Sequence, residues 1–126
     1  PDENDRNLTV SREDMLNAVK RVGLYSSSMT NQIRLDIESD TVTISAEDVE
    51  RSSEAEETIH CDYDSEDMEI GFNSEYLTEV LSNVTCDEVV FELSSPNRAG
   101  IVLPQEQAED EDILMLIMPV MLNTYA

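Results

Sequence analysis

"NSEYLTEVLSNV", residues 73–84, and "SREDMLNAVKRVG", residues 11–23, carry the same pattern twice. In the first stretch Leu77, Val80, Leu81 and Val84 recur at helical spacing behind Asn73, a residue type whose side-chain oxygen caps the free N–H groups of a first turn. In the second, Met15, Ala18, Val19 and Val22 form the stripe. Ser11 is its cap, acids fill the first turn and Gly23 stands as a stop. Ser11 aligns with Asn73, Glu13 with Glu75, Met15 with Leu77, Val19 with Leu81 and Val22 with Val84, a constant offset of 62 residues.

Working outward, strand patterns flank both helices. "IRLDI" (33–37), "VTISA" (42–46), "TIHCDY" (58–63), "MEIGF" (68–72) and "VVFEL" (89–93) alternate apolar with polar. "GIVL" (100–103) and "ILMLIM" (113–118) are continuous apolar runs, and "SSPNRAG" and "PQEQAEDED" between them read as loops. Each helix is preceded by a short strand and followed by about three. The expectation is an α+β fold made of two strand–helix–strand–strand–strand repeats, near residues 8–66 and 67–122. Two helices then pack on antiparallel sheets within a single domain, residues 1–126.

The composition suits that size. Apolar residues make up 40% of 126, and no window approaches the ~18 apolar residues of a membrane-spanning helix, so no membrane partner is expected. The first twenty residues are polar and charged, unlike a secretory signal. A start on Pro1 rather than methionine implies a piece of a longer chain. Cys61 and Cys86 are far apart and fit no metal spacing, so reduced thiols in a cytoplasmic protein are expected. Charge is the oddest feature: 29 acids face seven basic residues, for a net −22, and Lys20 is the one lysine. Such self-repulsion loosens a compact state at low salt, and at ~1 M salt a Debye length of about 3 Å screens it. An acidic, halophile-like surface follows.

Two chemistries can be weighed against the acids. A calcium loop beginning at Asp62 in "DYDSED" needs glycine at its sixth position and glutamate at its twelfth; the chain has Asp67 and Asn73 there. A carboxylate-pair hydrolase needs a site, and the chain has no tryptophan platform. His60, the one histidine, falls within a strand pattern with no nucleophile suggested beside it. Neither a metal, a cofactor nor catalysis is expected.

Four stretches resemble a known family: "LTVSREDMLNAVKRVGLYSSSMTNQIRLDI", "EAEETIHCDYDSEDMEIGFNSEYLTEVL", "VVFELSSPNRAGIVLP" and the ending "MPVML". Together they are similar to the C-terminal domain of the bacterial sliding clamp, the beta subunit of the replicative DNA polymerase. "MEIGFNSEYL" is the most specific part, and the ending departs from the usual Met-Pro-Met-Arg-Leu by placing Met121 where arginine is common. The resemblance implies the last third of a three-domain, non-catalytic processivity factor. Its homodimeric ring encircles duplex DNA without reading sequence. Polymerase, clamp loader and repair proteins dock through short motifs in a hydrophobic groove.

Carried over by position, that groove takes Asn73 and Tyr76, Asn97 and Ala99, and the run Leu116, Ile117, Met118, Pro119, Val120, Met121 and Leu122. Methionine is unbranched and adapts to varied peptides, while Pro119 lacks a donor and ends strand pairing. Ring closure takes Leu24 and Tyr25 as apolar contacts, and Glu54, Glu56 and Glu57 as partners for bases opposite. Lys20 and Arg21 are the DNA-facing candidates; the second helix offers no cation to match them. The alternative is an acidic, salt-adapted interaction or metal-binding module unrelated to replication.

Overall fold

A computed structural model describes residues 6–26, 30–48, 50–84, 87–94, 100–104 and 115–117 of the chain. The first half runs β1 (Arg6–Ser11), α1 (Arg12–Gly23), β2 (Gln32–Glu38), β3 (Thr41–Asp48) and β4 (Ser53–His60). The second half repeats it as β5 (Met68–Asn73), α2 (Ser74–Ser82), β6 (Glu88–Leu93), β7 (Gly100–Pro104) and β8 (Met115–Ile117). This is the expected α+β arrangement of two strand–helix–three-strand units.

Both helices start where a strand ends, and the same residue serves both. Ser11 closes β1 and caps α1, its Oγ accepting from the Asp14 N–H at 3.2 Å. Asn73 closes β5 and caps α2, its Oδ1 accepting from the Tyr76 N–H at 2.9 Å. The predicted stripes are buried: Met15, Ala18, Val19 and Val22 on α1, with Leu77, Val80 and Leu81 on α2. Val84 is buried too, but it lies past the end of α2 at Ser82.

All ladders are antiparallel. One sheet has the order β1-β6-β7-β8 and the other β4-β3-β2-β5. Each sheet therefore takes the leading strand of one half, β1 or β5, and the other three strands of the other half. Ser11 of β1 lies opposite Glu88, and Asn73 of β5 lies opposite Gln32. The exchange interlocks the halves, and strand alternation sends Leu8, Leu35, Ile44, Ile70 and Phe91 into one core with the helix stripes. Each such side chain, fully buried, contributes about 1.5–3 kcal/mol.

The helices lie side by side and antiparallel. Gly23 at the end of α1 meets Ser74 at the start of α2, and at the far end the Arg12 guanidinium donates to the Leu81 carbonyl at 3.4 Å. α1 does stop at Gly23, as read from sequence, but not through a left-handed glycine. The residue that follows it, Leu24, is right-handed at φ −63°, so no left-handed glycine cap is needed. A Cβ on Gly23 would stand 3.1 Å from both Cβ and Oγ of Ser74. Its lack of a side chain serves the helix contact. The "TIHCDY" run is corrected: β4 begins at Ser53 and ends at His60. Asp62 then bridges to Thr9 of β1, and the buried Tyr63 donates its hydroxyl to the Glu66 carbonyl at 2.6 Å.

Candidate functional site

Of the expected groove residues, the structure brings Asn73 and Tyr76 together at the first turn of α2. The Asn73 amide accepts from the Tyr76 N–H and donates to the Thr30 carbonyl at 3.5 Å. Beside it the Ser74 N–H donates to the Asn31 carbonyl at 2.7 Å. Asn31 itself takes φ 50°, a left-handed conformation that asparagine tolerates. So the backbone leading into Tyr76 is fixed, and the residue itself is 43% exposed. Leu116 and Ile117 fall on β8, opposite Ile101 and Gly100 of β7. Among the described strands, Asn73 thus ends β5, the edge of one sheet, while Leu116 and Ile117 lie on the edge of the other. Asn97, Ala99 and the run Met118–Leu122 lie outside the described residues.

A second surface gathers at the exit of α1. Leu24 is 78% exposed and Tyr25 45%, large apolar side chains left in water. Beneath them Ser26 is buried and donates its hydroxyl to the Gly23 carbonyl at 2.7 Å. The Arg51 guanidinium reaches back to the Ser26 carbonyl at 3.5 Å while its Nε pairs with Asp48 at 2.7 Å. That hydrogen bond holds the Asp48 carboxyl below the ordinary carboxylate range.

Nearby, β4 is an edge strand bonded to β3 alone among the described strands. Its side chains alternate between the two faces. Glu54 and Glu56 are exposed on one face; Glu57 lies opposite the buried Ile44 and turns toward the face that α1 covers. There it meets Arg21 in a two-pronged ion pair, Nε to Oε2 and Nη2 to Oε1, each 2.7 Å. The hydrogen bond from Arg21 lowers the Glu57 carboxyl despite some desolvation. The structure therefore separates the three interface glutamates into an outward pair and an inward one.

Lys20 is exposed on α1. It borders an open groove of about 610 Å³ between the end of α1 and the start of α2, lined also by Leu24, Asn31, Ser74, Glu75 and Thr78. On the outer face of the second sheet, Asp36 and Glu69 stand opposite each other across β2 and β5. Burial and the Glu69 carboxylate push Asp36 up to about 6. No group of three or more histidine, cysteine or acidic side chains is placed to hold a metal ion among the described residues. Nor is any described helix long and apolar enough to cross a membrane. Cys61 is an unbridged thiol, pushed up to about 11 chiefly by burial.

Sequence reasoning missed the Arg21–Glu57 pair although a signal was present. Glu57 shares its strand parity with the apolar Ile59, and Glu54 and Glu56 do not. The Asp36–Glu69 pair had no such signal, because it depends on the register between β2 and β5.

Two interlocked four-stranded sheets under a pair of antiparallel helices define a sliding-clamp domain. A DnaN sliding clamp (DNA polymerase III subunit beta) from Bartonella birtlesii, crystallised bound to griselimycin, superposes with a TM-score of 0.90 at 34% identity. The likeness covers 97% of this chain and 32% of that one. The Pseudomonas aeruginosa clamp superposes at 0.89 with 30% identity, over 97% and 32%. The chain belongs to the family described as DNA polymerase III beta subunit, C-terminal domain, whose model matches residues 1–121. The beta sliding clamp of Vibrio cholerae is 28% identical over 122 residues, which are 97% of this chain and 32% of that protein. The chain thus spans about a third of the length of the relatives it matches.

Proposed function

We propose that this chain is the C-terminal third of the subunit of a homodimeric ring that encircles duplex DNA in the cytoplasm and performs no chemistry. The ring holds polymerase, clamp loader and repair proteins on the template through short motifs inserted in a hydrophobic groove. The chain acts as one domain, with repeats near 8–66 and 67–122. Asn73, Tyr76, Asn97, Ala99 and residues 116–122 supply this domain's share of the groove. Leu24, Tyr25, Glu54 and Glu56 supply the closing surface.

The observation that carries the reading is the family match along residues 1–121. Related clamps are crystallised with griselimycin, and the full-length protein is expected to take the same ligand.

The test is topological. Full-length protein loaded on nicked circular duplex should survive gel filtration with the DNA in high salt and be lost once the circle is cut. Because counterion release makes phosphate contacts collapse as salt rises, retention on circles alone identifies a ring. Equal loss from circles and linear DNA would reject it.

A further inference from the structure

Arg21 is one of the two cations offered to DNA, yet its guanidinium is already engaged. It reaches 36 residues along the chain to Glu57 and satisfies both carboxylate oxygens at 2.7 Å. Exposed ion pairs contribute little as a rule, the exceptions being bidentate arginine–carboxylate pairs held in good geometry. This pair meets that condition, with the Glu57 side chain 30% exposed. With 29 acids in the chain, an arginine turned to solvent has many carboxylates to attract. It pairs instead with the one glutamate of three that alternation turns toward α1.

The consequence lies in β4. An edge strand is held by hydrogen bonds on one side only, and here that side is β3. The other restraint on β4 is its packing against α1, where Arg21 supplies the directed contact. We propose that Arg21 is a positioning residue that braces β4 against α1, presenting Glu54 and Glu56 for ring closure, with Glu57 as its internal partner rather than a contact across the interface. Adjacent helical residues point about 100° apart, so Lys20 is left to meet phosphate without Arg21. The brace rests on the reading that β4 is the closing surface of a ring.

Lysine separates the two roles. It keeps the positive charge that a phosphate contact needs, but it cannot form the planar fork. In full-length protein, Arg21→Lys and Glu57→Gln should each speed exchange of the β4 amides bonded to β3 by about fivefold, the scale of a strong surface pair. The double variant should add nothing further, and the swap Arg21→Glu with Glu57→Arg should restore slow exchange. Dimer affinity measured by sedimentation should weaken in step, and the time the closed ring stays on circular duplex should shorten with it for Arg21→Lys. Wild-type exchange in Arg21→Lys would overturn the brace, as would additive effects of the two single variants. A wild-type protein that forms no dimer would instead reject the ring, while β4 exchange still decides the brace.

Discussion

Arg21 on α1 and Glu57 on β4 hold each other by two parallel hydrogen bonds of 2.7 Å. The pair joins the helix expected to face DNA to the strand expected to face a partner subunit. Glu57 is lowered by that contact, so its contribution to stability is present above the ordinary glutamate value of 4.5 and is lost as pH falls through the folded value. Across the sheet, Asp36 and Glu69 make the opposite case, two acids set face to face.

Asp36 should make the protein less stable at neutral pH. Its folded value of about 6 lies above the ordinary 3.8, so folding favours its protonated form. The penalty is absent below 3.8, grows through the window up to about 6 and is complete above it. Arg34 offsets part of it and Glu38 adds to it. Asp36→Asn has no proton to lose. It should stabilise the fold at pH 7 by on the order of 1 kcal/mol after solvent screening, and by only a small fraction of that at pH 4. Urea melts of both proteins at the two pH values measure the difference; an equal gain at both would point to packing rather than charge.

Gly23→Ala tests the helix contact. In a free helix the change gains about 1 kcal/mol. Here the new Cβ would stand 3.1 Å from Ser74 Cβ and Oγ. The hydroxyl can rotate away but Cβ cannot, because the Asn31 carbonyl and the Asn73 cap fix the start of α2. We expect a net loss of about 1–2 kcal/mol, the range for overpacking a well-filled site. Adding Ser74→Gly should relieve part of it, so that the double variant is more stable than the two single losses summed. A melting temperature that rises in Gly23→Ala would mean the helices part without cost.

What could be read from sequence divides by distance along the chain. Ser11 and Asn73 announce both helix starts because a cap acts within three residues, and strand alternation is visible wherever one face is buried, as at Leu35 and Ile44. The pairing of β1 with β6 and of β5 with β2 is carried by register between halves, which no local pattern encodes. Gly23 read as a stop because a glycine after an apolar stripe has that local meaning, and α1 does end there. Its contact with Ser74 exists only once both helices are placed. The groove residues Asn73 and Tyr76 came from the family resemblance, and their hydrogen bond adds a reason for the pairing.

Salt should stabilise this chain. With a net charge of −22, self-repulsion opposes the compact state, and at ~1 M salt the screening length of about 3 Å leaves only the closest pairs, such as Asp36 and Glu69. Between 0.1 and 2 M KCl, thermal melts should rise by roughly 5–10 °C, equivalent to about 2 kcal/mol at this size. A flat or falling melting temperature would remove the case for a salt-adapted surface.

The last prediction concerns partner peptides. The ending "MPVML" places Met121 where the family pattern commonly has arginine. A cation at the rim of a groove chiefly steers acidic peptides, and salt screens that contribution. Methionine adds apolar contact instead, up to about 1.5–3 kcal/mol if fully buried. Tyr76, held in place by the Asn73 cap and 43% exposed, offers a further aromatic surface. Binding should therefore rest on burial of leucine and phenylalanine side chains, with affinity falling less than about threefold between 0.1 and 2 M KCl, since burial is not screened. Tyr76→Ala should weaken a labelled motif peptide by about tenfold, as loss of a buried aromatic anchor does. Deleting residues 118–126 from the full-length protein should abolish binding while leaving the melting temperature in place, because β8 at Met115–Ile117 stays paired to β7. Anisotropy titrations at both salt concentrations measure all three. Unchanged affinity after the deletion would place the groove wall elsewhere, and a steep loss with salt would return the binding energy to charge.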